Sequence, residues 1–356
     1  MGPTIRNSPE MPLQATDMTL AQLGWRPFFS EQVSAEELRD CQPVRVMSVH
    51  RGRVTVAGEA FEGSVSSVLA AQSEAEDWPT VGDWLLLHRT EQSLVRLLDR
   101  SSLFKRPAPG DDRRVQLIAA NIDTVFVVTS CNQDFNVARL ERYLVLAREV
   151  GARPVVVLTK ADLSPAPERF VEAARALQSG VRVELIDGRE PSSAAHLAAY
   201  CSAGETVALV GSSGVGKSTL VNTLTGSAGA ATQPVREDDG KGRHTTTVRE
   251  MHRLVVGGGG TGWLVDTPGI RELQMSEVTA GVNEVFDDVT AMARECRFAN
   301  CTHADEPGCA IRAALAQGTL DTTRVDRWRK LAKEDAVNSG VAAARRSRPR
   351  RGGRSR

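Results

Sequence analysis

The sequence contains no long apolar run. Its longest purely apolar stretches span four or five residues, such as Val155–Leu158, whereas a membrane-spanning helix needs about 20. We therefore expect no membrane partner, and because no apolar stretch follows the first basic residue we expect no secretory signal. Cysteine is also scarce, with 6 in 356 residues. This scarcity excludes a disulfide scaffold and indicates a reducing, cytoplasmic setting.

Lysine is rare among the basic residues, since the chain has 6 Lys and 38 Arg. The 44 basic residues are balanced by 44 acidic residues, so the net charge is zero. The balance hides an asymmetry, because residues 341–356 contain 7 Arg and no acidic residue. Such a block is typical of a nucleic-acid-binding arm, and the alternative is a merely solubilising end. We expect Arg345–Arg356 to be disordered alone and to contact RNA phosphates.

The hydrophobic pattern changes along the chain. Short β-branched runs with turn signals over 44–100 favour a small β-barrel of the oligonucleotide-binding (OB) type. The stretch Lys105–Arg114, with two Pro and one Gly, is predicted to be a linker. From residue 117 strands and helices alternate, which predicts a mostly parallel sheet covered on both faces. Asn136 is predicted to cap a helix, and 248–256 and 261–265 are predicted to form a hairpin across four glycines. The predicted segments are an extension (1–40), an OB-like barrel (41–105), an α/β domain (112–280), a helical domain (281–340) and a basic disordered tail (341–356).

The strongest motif is G-x-x-x-x-G-K-[ST] at 211–218, directly after a predicted strand and at the start of a predicted helix. Its glycines let backbone N–H groups surround phosphates, while Lys217 reaches the β- and γ-phosphates and Ser218 binds Mg²⁺. A chance glycine-rich turn is the alternative, but both flanking elements are present. The predicted nucleotide-binding residues are Gly211, Ser212, Ser213, Gly214, Val215, Gly216, Lys217, Ser218 and Thr219.

Two further motifs stand at the ends of predicted strands. In Asp266-Thr267-Pro268-Gly269, Asp266 can hold Mg²⁺ through water and Gly269 can offer its N–H to a γ-phosphate. In the tetrapeptide at 159–162, the Asp162 carboxylate can accept both N–H groups of the guanine edge. Either tetrapeptide alone is weak evidence of nucleotide binding. Together with the phosphate-binding loop at 211–218 (the P-loop), the two tetrapeptides predict guanine nucleotide binding. The residues predicted to contact guanine are Thr159, Lys160, Ala161 and Asp162.

The order of these motifs is permuted. In ordinary GTPases the P-loop precedes the guanine-reading Lys-x-Asp, whereas here 160–162 precedes 211–218. The sequence therefore predicts a circularly permuted GTPase domain, which a fold with neighbouring termini allows. Residues 242–247 are predicted to be a switch loop in which Thr246 completes the Mg²⁺ shell. The three adjacent threonines there could instead reflect strand propensity alone.

A cysteine cluster marks the C-terminal part of the chain, with the spacing Cys296-x4-Cys301-x-His303-x5-Cys309. Three thiolates and one imidazole can close a tetrahedral Zn²⁺ site without an open position, which is a structural rather than a catalytic arrangement. Simple burial of cysteine would not predict a histidine in the same short loop. The sequence therefore predicts one structural zinc ion per chain.

The sequence resembles the ribosome small subunit-dependent GTPase A family over roughly residues 40–335. The resemblance rests on Ala119–Asp123, 159–162, 211–219, 242–247, 266–269 and the cysteine cluster. It implies an α/β fold with a permuted P-loop GTPase domain between an oligonucleotide-binding barrel and a helical zinc domain. It also implies action late in small-subunit maturation, on ribosomal RNA, with GTP hydrolysis stimulated by the subunit. The alternatives are a permuted GTPase for another RNA target and an RNA-binding module that holds GTP without turnover.

The sequence departs from the family pattern in the guanine site and at the attacking water. Thr159 stands where Asn is more usual, which could weaken base binding or the contact with the P-loop, and the usual Ser-Ala backing loop is missing near Glu184–Gly188. Ile270 stands where conventional GTPases place a water-orienting Gln. We expect slow unassisted turnover and His244 as the residue that positions the water. The alternative is that His244 only touches ribosomal RNA or stabilises the closed loop.

Overall fold

The computed structural model describes residues 18–59, 61–68, 75–108, 111–226, 249–254, 262–266 and 278–346. Its strands are β1 (Cys41–His50), β2 (Arg53–Ala57), β3 (Glu62–Ser66), β4 (Trp84–His88), β5 (Leu94–Leu97), β6 (Leu103–Ala108), β7 (Asp111–Ala120), β8 (Thr124–Ser130), β9 (Arg153–Thr159), β10 (Arg182–Leu185), β11 (Thr206–Val210), β12 (Arg249–Arg253) and β13 (Trp263–Asp266). Its helices are α1 (Pro27–Ser30), α2 (Glu37–Asp40), α3 (Val137–Glu149), α4 (Glu168–Arg175), α5 (Pro191–Ala194), α6 (Lys217–Thr225), α7 (Thr279–Val285), α8 (Asp287–Arg294), α9 (Ala310–Ala316) and α10 (Thr322–Arg346). Within the described ranges, no helix has both the length and the apolar content needed to cross a membrane.

One eleven-stranded sheet runs through the barrel and the α/β part of the chain. Its main path is β10-β9-β8-β11-β13-β12-β1-β2-β3, with β4 paired to β1 and β5 to β4. The strands from β10 to β13 along this path are parallel, whereas β12 is antiparallel to both β13 and β1. The predicted parallel sheet and the predicted hairpin of β12 and β13 are therefore confirmed. The pairing of β12 with β1 makes the barrel continuous with the parallel sheet.

Both faces of the parallel sheet are buried, as its apolar strands predict. In β8, Val125 and Val127 join one core cluster while Phe126 and Val128 join the other, because successive side chains point to opposite faces. Helix α3 covers the first face and α6 the second. The predicted cap of α3 is confirmed, since the Asn136 side chain accepts a hydrogen bond from the Arg139 N–H at 2.9 Å.

The structure describes the predicted extension from residue 18, and this part contains the short helices α1 and α2. Its apolar side chains Leu23 and Phe29 are fully buried. They pack beside Arg45 of β1, whose guanidinium is also buried and donates to the Leu23 carbonyl at 2.6 Å and to Thr206 Oγ1 at 2.7 Å. Burial lowers the pKa of Arg45 to about 10. This one cation therefore joins the N-terminal segment and the barrel to the start of β11.

The predicted linker at Lys105–Arg114 is wrong, because β6 and β7 form an antiparallel hairpin there. Its proline and charges suggested a loop, but the register shifts at Phe104/Lys105 and Pro107/Ala108 absorb them. A β-bulge accommodates proline because the bulged residue need not donate to the ladder. The hairpin is anchored by buried Phe104 and Ile118.

The helical C-terminal part packs on α3 through buried charges. Glu141 of α3 is fully buried and accepts from Arg324 and Arg327 of α10, at 3.2 and 2.7 Å. Asp335 of α10 accepts from the Val278 N–H at 3.0 Å, before the first turn of α7. Helix α10 continues to Arg346, so the first six residues of the predicted disordered tail are helical, and 347–356 lie outside the described residues.

Candidate functional site

The P-loop follows β11 with the backbone geometry that its motif requires. Gly211 has φ of 147°, and a Cβ there would lie 2.2 Å from the Val128 carbonyl oxygen. Gly214 and Gly216 also have positive φ, at 77° and 98°, which L side chains rarely adopt. Helix α6 then begins at Lys217. The loop thus presents backbone N–H groups and the positive end of a helix, an arrangement that binds phosphate.

Lys217 reaches back over the loop that precedes it. Its Nζ donates to the Gly211 carbonyl at 2.9 Å and to the Ser212 carbonyl. The ammonium group therefore lies above the P-loop, where the β- and γ-phosphates of a bound nucleotide would meet it. Arg139 of α3 donates to Ser212 Oγ.

The predicted guanine loop is joined to the P-loop by two direct hydrogen bonds. Thr159 Oγ1 donates to the Val215 carbonyl at 2.6 Å, and Lys160 Nζ donates to the Gly214 carbonyl at 2.6 Å. Lys160 has a left-handed φ of 57°, which turns the chain sharply after β9. Thr159 thus makes a direct contact with the P-loop at the position where Asn is more usual, because its hydroxyl reaches the Val215 carbonyl.

Asp162 has a partner that the sequence analysis did not identify. Arg189 Nη2 lies 3.1 Å from Asp162 Oδ2 and 2.7 Å from Asp187 Oδ2. The hydrogen bond from Arg189 lowers the pKa of Asp187 to about 2. Arg189 is exposed, so these pairs add little stability. The loop after β10 nevertheless reaches the guanine-reading carboxylate, and it is fixed to α6 by a 2.7 Å hydrogen bond from Thr223 Oγ1 to the Gly188 carbonyl.

Asp266 ends a strand beside the P-loop strand. In the parallel pair of β13 and β11, Val265 stands opposite Ala208, so Asp266 is one position further toward the edge where the P-loop begins. This placement suits the predicted role at Mg²⁺. The other predicted residues of this part, His244, Thr246 and Gly269, lie outside the described residues, as does the whole of 242–247.

The cysteine cluster is assembled between α8 and α9. The four potential ligand atoms of Cys296, Cys301, His303 and Cys309 all lie within 4.8 Å of one another. His303 Nδ1 is 3.4 Å from Cys296 Sγ and 3.6 Å from Cys309 Sγ. Tetrahedral zinc with Zn–S of about 2.3 Å and Zn–N of about 2.0 Å places such atoms about 3.5 Å apart. The donor set and its spacing therefore fit one zinc ion.

The surroundings favour the metal-binding protonation state of His303 but oppose that of Cys301. Burial and the nearby Arg329 lower the pKa of His303, which keeps the imidazole neutral. Burial raises the pKa of the Cys301 thiol to about 11, so its proton must leave when a metal binds. Glu306 organises the loop, because its carboxylate accepts from the backbone N–H groups of Thr302 and Ala304 at 2.8 and 3.0 Å.

Comparison with known proteins identifies the family. Residues 97–276 match the family model described as RsgA GTPase. A Mesorhizobium japonicum protein named small ribosomal subunit biogenesis GTPase RsgA is 48% identical over 330 residues, which cover 92% of this chain and 93% of that protein. The chain belongs to the RsgA GTPase family. A Vibrio parahaemolyticus relative named small ribosomal subunit biogenesis GTPase RsgA 2 is 44% identical, over 96% of this chain and 93% of that protein.

Solved structures share the fold of this RsgA-family chain. YjeQ from Thermotoga maritima has a TM-score of 0.60 at 23% identity and covers 83% of this chain and 98% of its own. YloQ, described as a circularly permuted GTPase, has a TM-score of 0.57 at 20% identity, over 89% and 100%. These likenesses support the fold, and they confirm the predicted α/β architecture with a permuted GTPase domain. The exact domain limits remain predictions.

Two residues of the site escaped the sequence analysis for different reasons. Arg189 is an isolated arginine in a chain with 38 of them, so its type carried no signal. Glu306 lies inside the cysteine spacing, and the pattern Thr302-x-Ala304-x-Glu306 could have indicated a loop closed by a carboxylate. Only the folded backbone shows that Arg189 pairs with Asp162 and that Glu306 accepts hydrogen bonds from the residues on either side of His303.

Proposed function

We propose that this RsgA-family chain hydrolyses GTP to GDP and phosphate while bound to the small ribosomal subunit and its RNA, and thereby assists late maturation of that subunit. We further propose that it acts in the cytoplasm as a monomer. The observation that carries the proposal is the pairing of β12 with β1 at Ser48–Glu250 and Val49–Arg249. This pairing makes the barrel, the expected RNA surface, part of the same sheet as the P-loop strand.

The chain's own residues supply nucleotide binding and phosphate stabilisation. Residues 211–216 direct backbone N–H groups at the phosphates, and Lys217 neutralises charge that develops between the β- and γ-phosphates. Asp162 accepts the two N–H groups of the guanine edge. Mg²⁺, when bound with GTP, would be held by Ser218 and, through water, by Asp266, and it would neutralise phosphate charge. Zinc held by the Cys₃His cluster would have a structural role, because four protein ligands leave no open position.

A turnover assay with purified ribosomal subunits tests the proposed function. We expect phosphate release on the order of 10⁻⁴ to 10⁻² s⁻¹ from the protein alone, because Ile270 cannot orient water. Small subunits should raise the rate by about tenfold or more, since docking completes the site. Large subunits are the control and should have no effect. Equal stimulation by both subunits, or by neither, would contradict the proposal.

A second experiment concerns His244, the candidate for positioning the attacking water. With small subunits saturating, His244→Ala should lower kcat by about a hundredfold or more while the affinities for GTP and for the subunit stay unchanged. His196→Ala is the control, because His196 is an exposed histidine of the same domain. A normal kcat with weakened subunit binding would assign His244 to RNA contact instead.

A further inference from the structure

The loop after β10, residues 186–190, contains an arginine that reaches the carboxylate expected to read guanine. Arg189 Nη2 lies 3.1 Å from Asp162 Oδ2, and in the part of the chain that the structure describes Arg189 is the sole ion-pair partner of Asp162. Both side chains are open to solvent, since 63% of Arg189 and 43% of Asp162 is exposed. A ligand that binds Asp162 therefore meets the guanidinium of Arg189 as well.

Arg189 is held in this position by Asp187. Its Nε donates to Asp187 Oδ1 at 3.0 Å and its Nη2 donates to Asp187 Oδ2 at 2.7 Å, a two-point contact that fixes the plane of the guanidinium. The Arg189 backbone N–H also donates to Asp187 Oδ1, at 3.0 Å. Asp187 is fixed in turn, because its backbone N–H donates to Ser193 Oγ of α5 at 2.9 Å. The side chain of Arg189 is therefore exposed but oriented.

Both members of this ion pair have hydrogen-bonding capacity to spare. A guanidinium has five N–H groups. Arg189 uses Nε and Nη2 on the two carboxylates, whereas Nη1 has no partner among the described residues. A carboxylate offers about four lone-pair sites, so Asp162 can accept from Arg189 and from both N–H groups of guanine at the same time.

Arg189 and Asp162 together complement the hydrogen-bonding groups of guanine. Next to the two N–H donors that Asp162 reads, guanine has the acceptor O6. The ion pair offers a donor group beside two acceptor oxygens, which is the complementary set. Contact of arginine with O6 and N7 of guanine is also the commonest specific contact in protein–DNA recognition. Adenine has an amino donor in place of O6, so it would set a donor against the N–H groups of Arg189.

We propose that Arg189 donates a hydrogen bond to O6 of the bound guanine base and is a second specificity-determining residue of the site, with Asp187 as its positioning residue. Asp162 reads the two N–H groups of the base, and Arg189 reads the neighbouring carbonyl oxygen. This inference rests on the proposed function, because it takes a guanine nucleotide as the ligand. The two-point contact with Asp187 favours binding, since a guanidinium that is already oriented loses less entropy when the base arrives.

Replacement of O6 by sulfur tests this contact. Equilibrium binding of GDP and of 6-thio-GDP is measured for the unaltered protein and for Arg189→Ala. In 6-thio-GDP a sulfur atom, which is a weak acceptor, replaces O6 while both N–H groups remain. The unaltered protein should bind GDP about tenfold more tightly than 6-thio-GDP. Arg189→Ala should bind GDP about tenfold more weakly and lose most of the preference for GDP over 6-thio-GDP, because it has no donor for O6.

IDP and Arg182→Ala are the matched controls. IDP lacks the amino group that Asp162 reads but keeps O6, so the preference for GDP over IDP should be the same in Arg189→Ala and in the unaltered protein. Arg182 is an exposed arginine at the start of β10, and Arg182→Ala makes the same charge change while leaving the pair of Arg189 and Asp162 intact. It should keep the affinity for GDP and the preference over 6-thio-GDP. Both variants should melt like the unaltered protein, because both side chains are exposed.

Three results would overturn the proposal. If Arg189→Ala keeps the preference for GDP over 6-thio-GDP, Arg189 does not contact O6, whether or not all three nucleotides bind more weakly. If Arg189→Ala binds GDP more tightly, Arg189 competes with the base for Asp162 instead of reading it. If Arg182→Ala loses as much affinity and preference as Arg189→Ala, the effect comes from charge in general and not from this contact.

Ribosomal subunits separate this proposal from the proposed function. If small subunits stimulate GTP hydrolysis while Arg189→Ala keeps the preference for GDP over 6-thio-GDP, the assignment of Arg189 fails and the proposed function stands. If Arg189→Ala loses that preference while small subunits do not stimulate the unaltered protein, the proposed function fails and the assignment of Arg189 stands.

Discussion

Cys301→Ser should remove zinc and unfold the loop between α8 and α9. Structural zinc contributes on the order of 10 kcal/mol to folding, and within the cluster only the metal can hold three thiolates together. The other contacts of the loop include the Glu306 hydrogen bonds, a 2.7 Å hydrogen bond from Arg329 to the His303 carbonyl and the contact between the His303 and Trp328 rings. We expect metal analysis to find about one zinc per unaltered chain and clearly less in the variant. Thermal melting of the variant should show a new transition at lower temperature.

Phe298→Ala is the matched control for the zinc experiment. Phe298 lies between the first two cysteines, is 41% exposed and offers no ligand atom. Its variant should keep both the zinc and the melting temperature. Unaltered protein purified without chelator that contains clearly less than one zinc per chain, or Cys301→Ser protein with unchanged melting, would contradict the zinc prediction.

Asp162→Asn should change the nucleotide preference from GTP toward XTP. The carboxylate accepts two N–H groups of guanine, whereas an amide presents a donor at the same place and suits the second carbonyl of xanthine. A site built on hydrogen bonds rejects a mismatched partner strongly, so the ratio of GTP to XTP affinity should fall about 10³-fold or more. Equilibrium binding of both nucleotides to the two proteins measures this ratio.

The Arg189→Ala variant shows whether the changed nucleotide preference of Asp162→Asn arises from the altered contact with the base or from loss of the ion pair with Arg189. Both substitutions remove the ion pair between Arg189 and Asp162, but only Asp162→Asn alters the carboxylate. Arg189→Ala should therefore retain the preference for GTP over XTP. If Asp162→Asn keeps that preference as well, Thr159–Asp162 is not the guanine loop.

The motifs whose chemistry is local were predictable from the sequence. The P-loop, the Lys-x-Asp loop and the cysteine cluster each lie within about 15 residues, so spacing alone specifies their geometry. The cap of α3 at Asn136 is equally local. The reversed order of the two nucleotide loops also needed no structure, because it is a property of the chain order itself.

Only the tertiary structure decided which distant segments meet. The bonds from Thr159 to Val215 and from Arg189 to Asp162 span 56 and 27 residues, and no local pattern encodes them. The hairpin at 103–120 was missed because local proline and charge suggest a loop, whereas strand pairing and burial of Ile118 outweigh that local preference. The pairing of β1 with β12 was not predictable from local sequence either, because the neighbour of an edge strand is determined by how the whole chain folds. The sequence by itself determined the nucleotide and metal chemistry of this protein, and the tertiary structure determined how that chemistry is joined to the barrel.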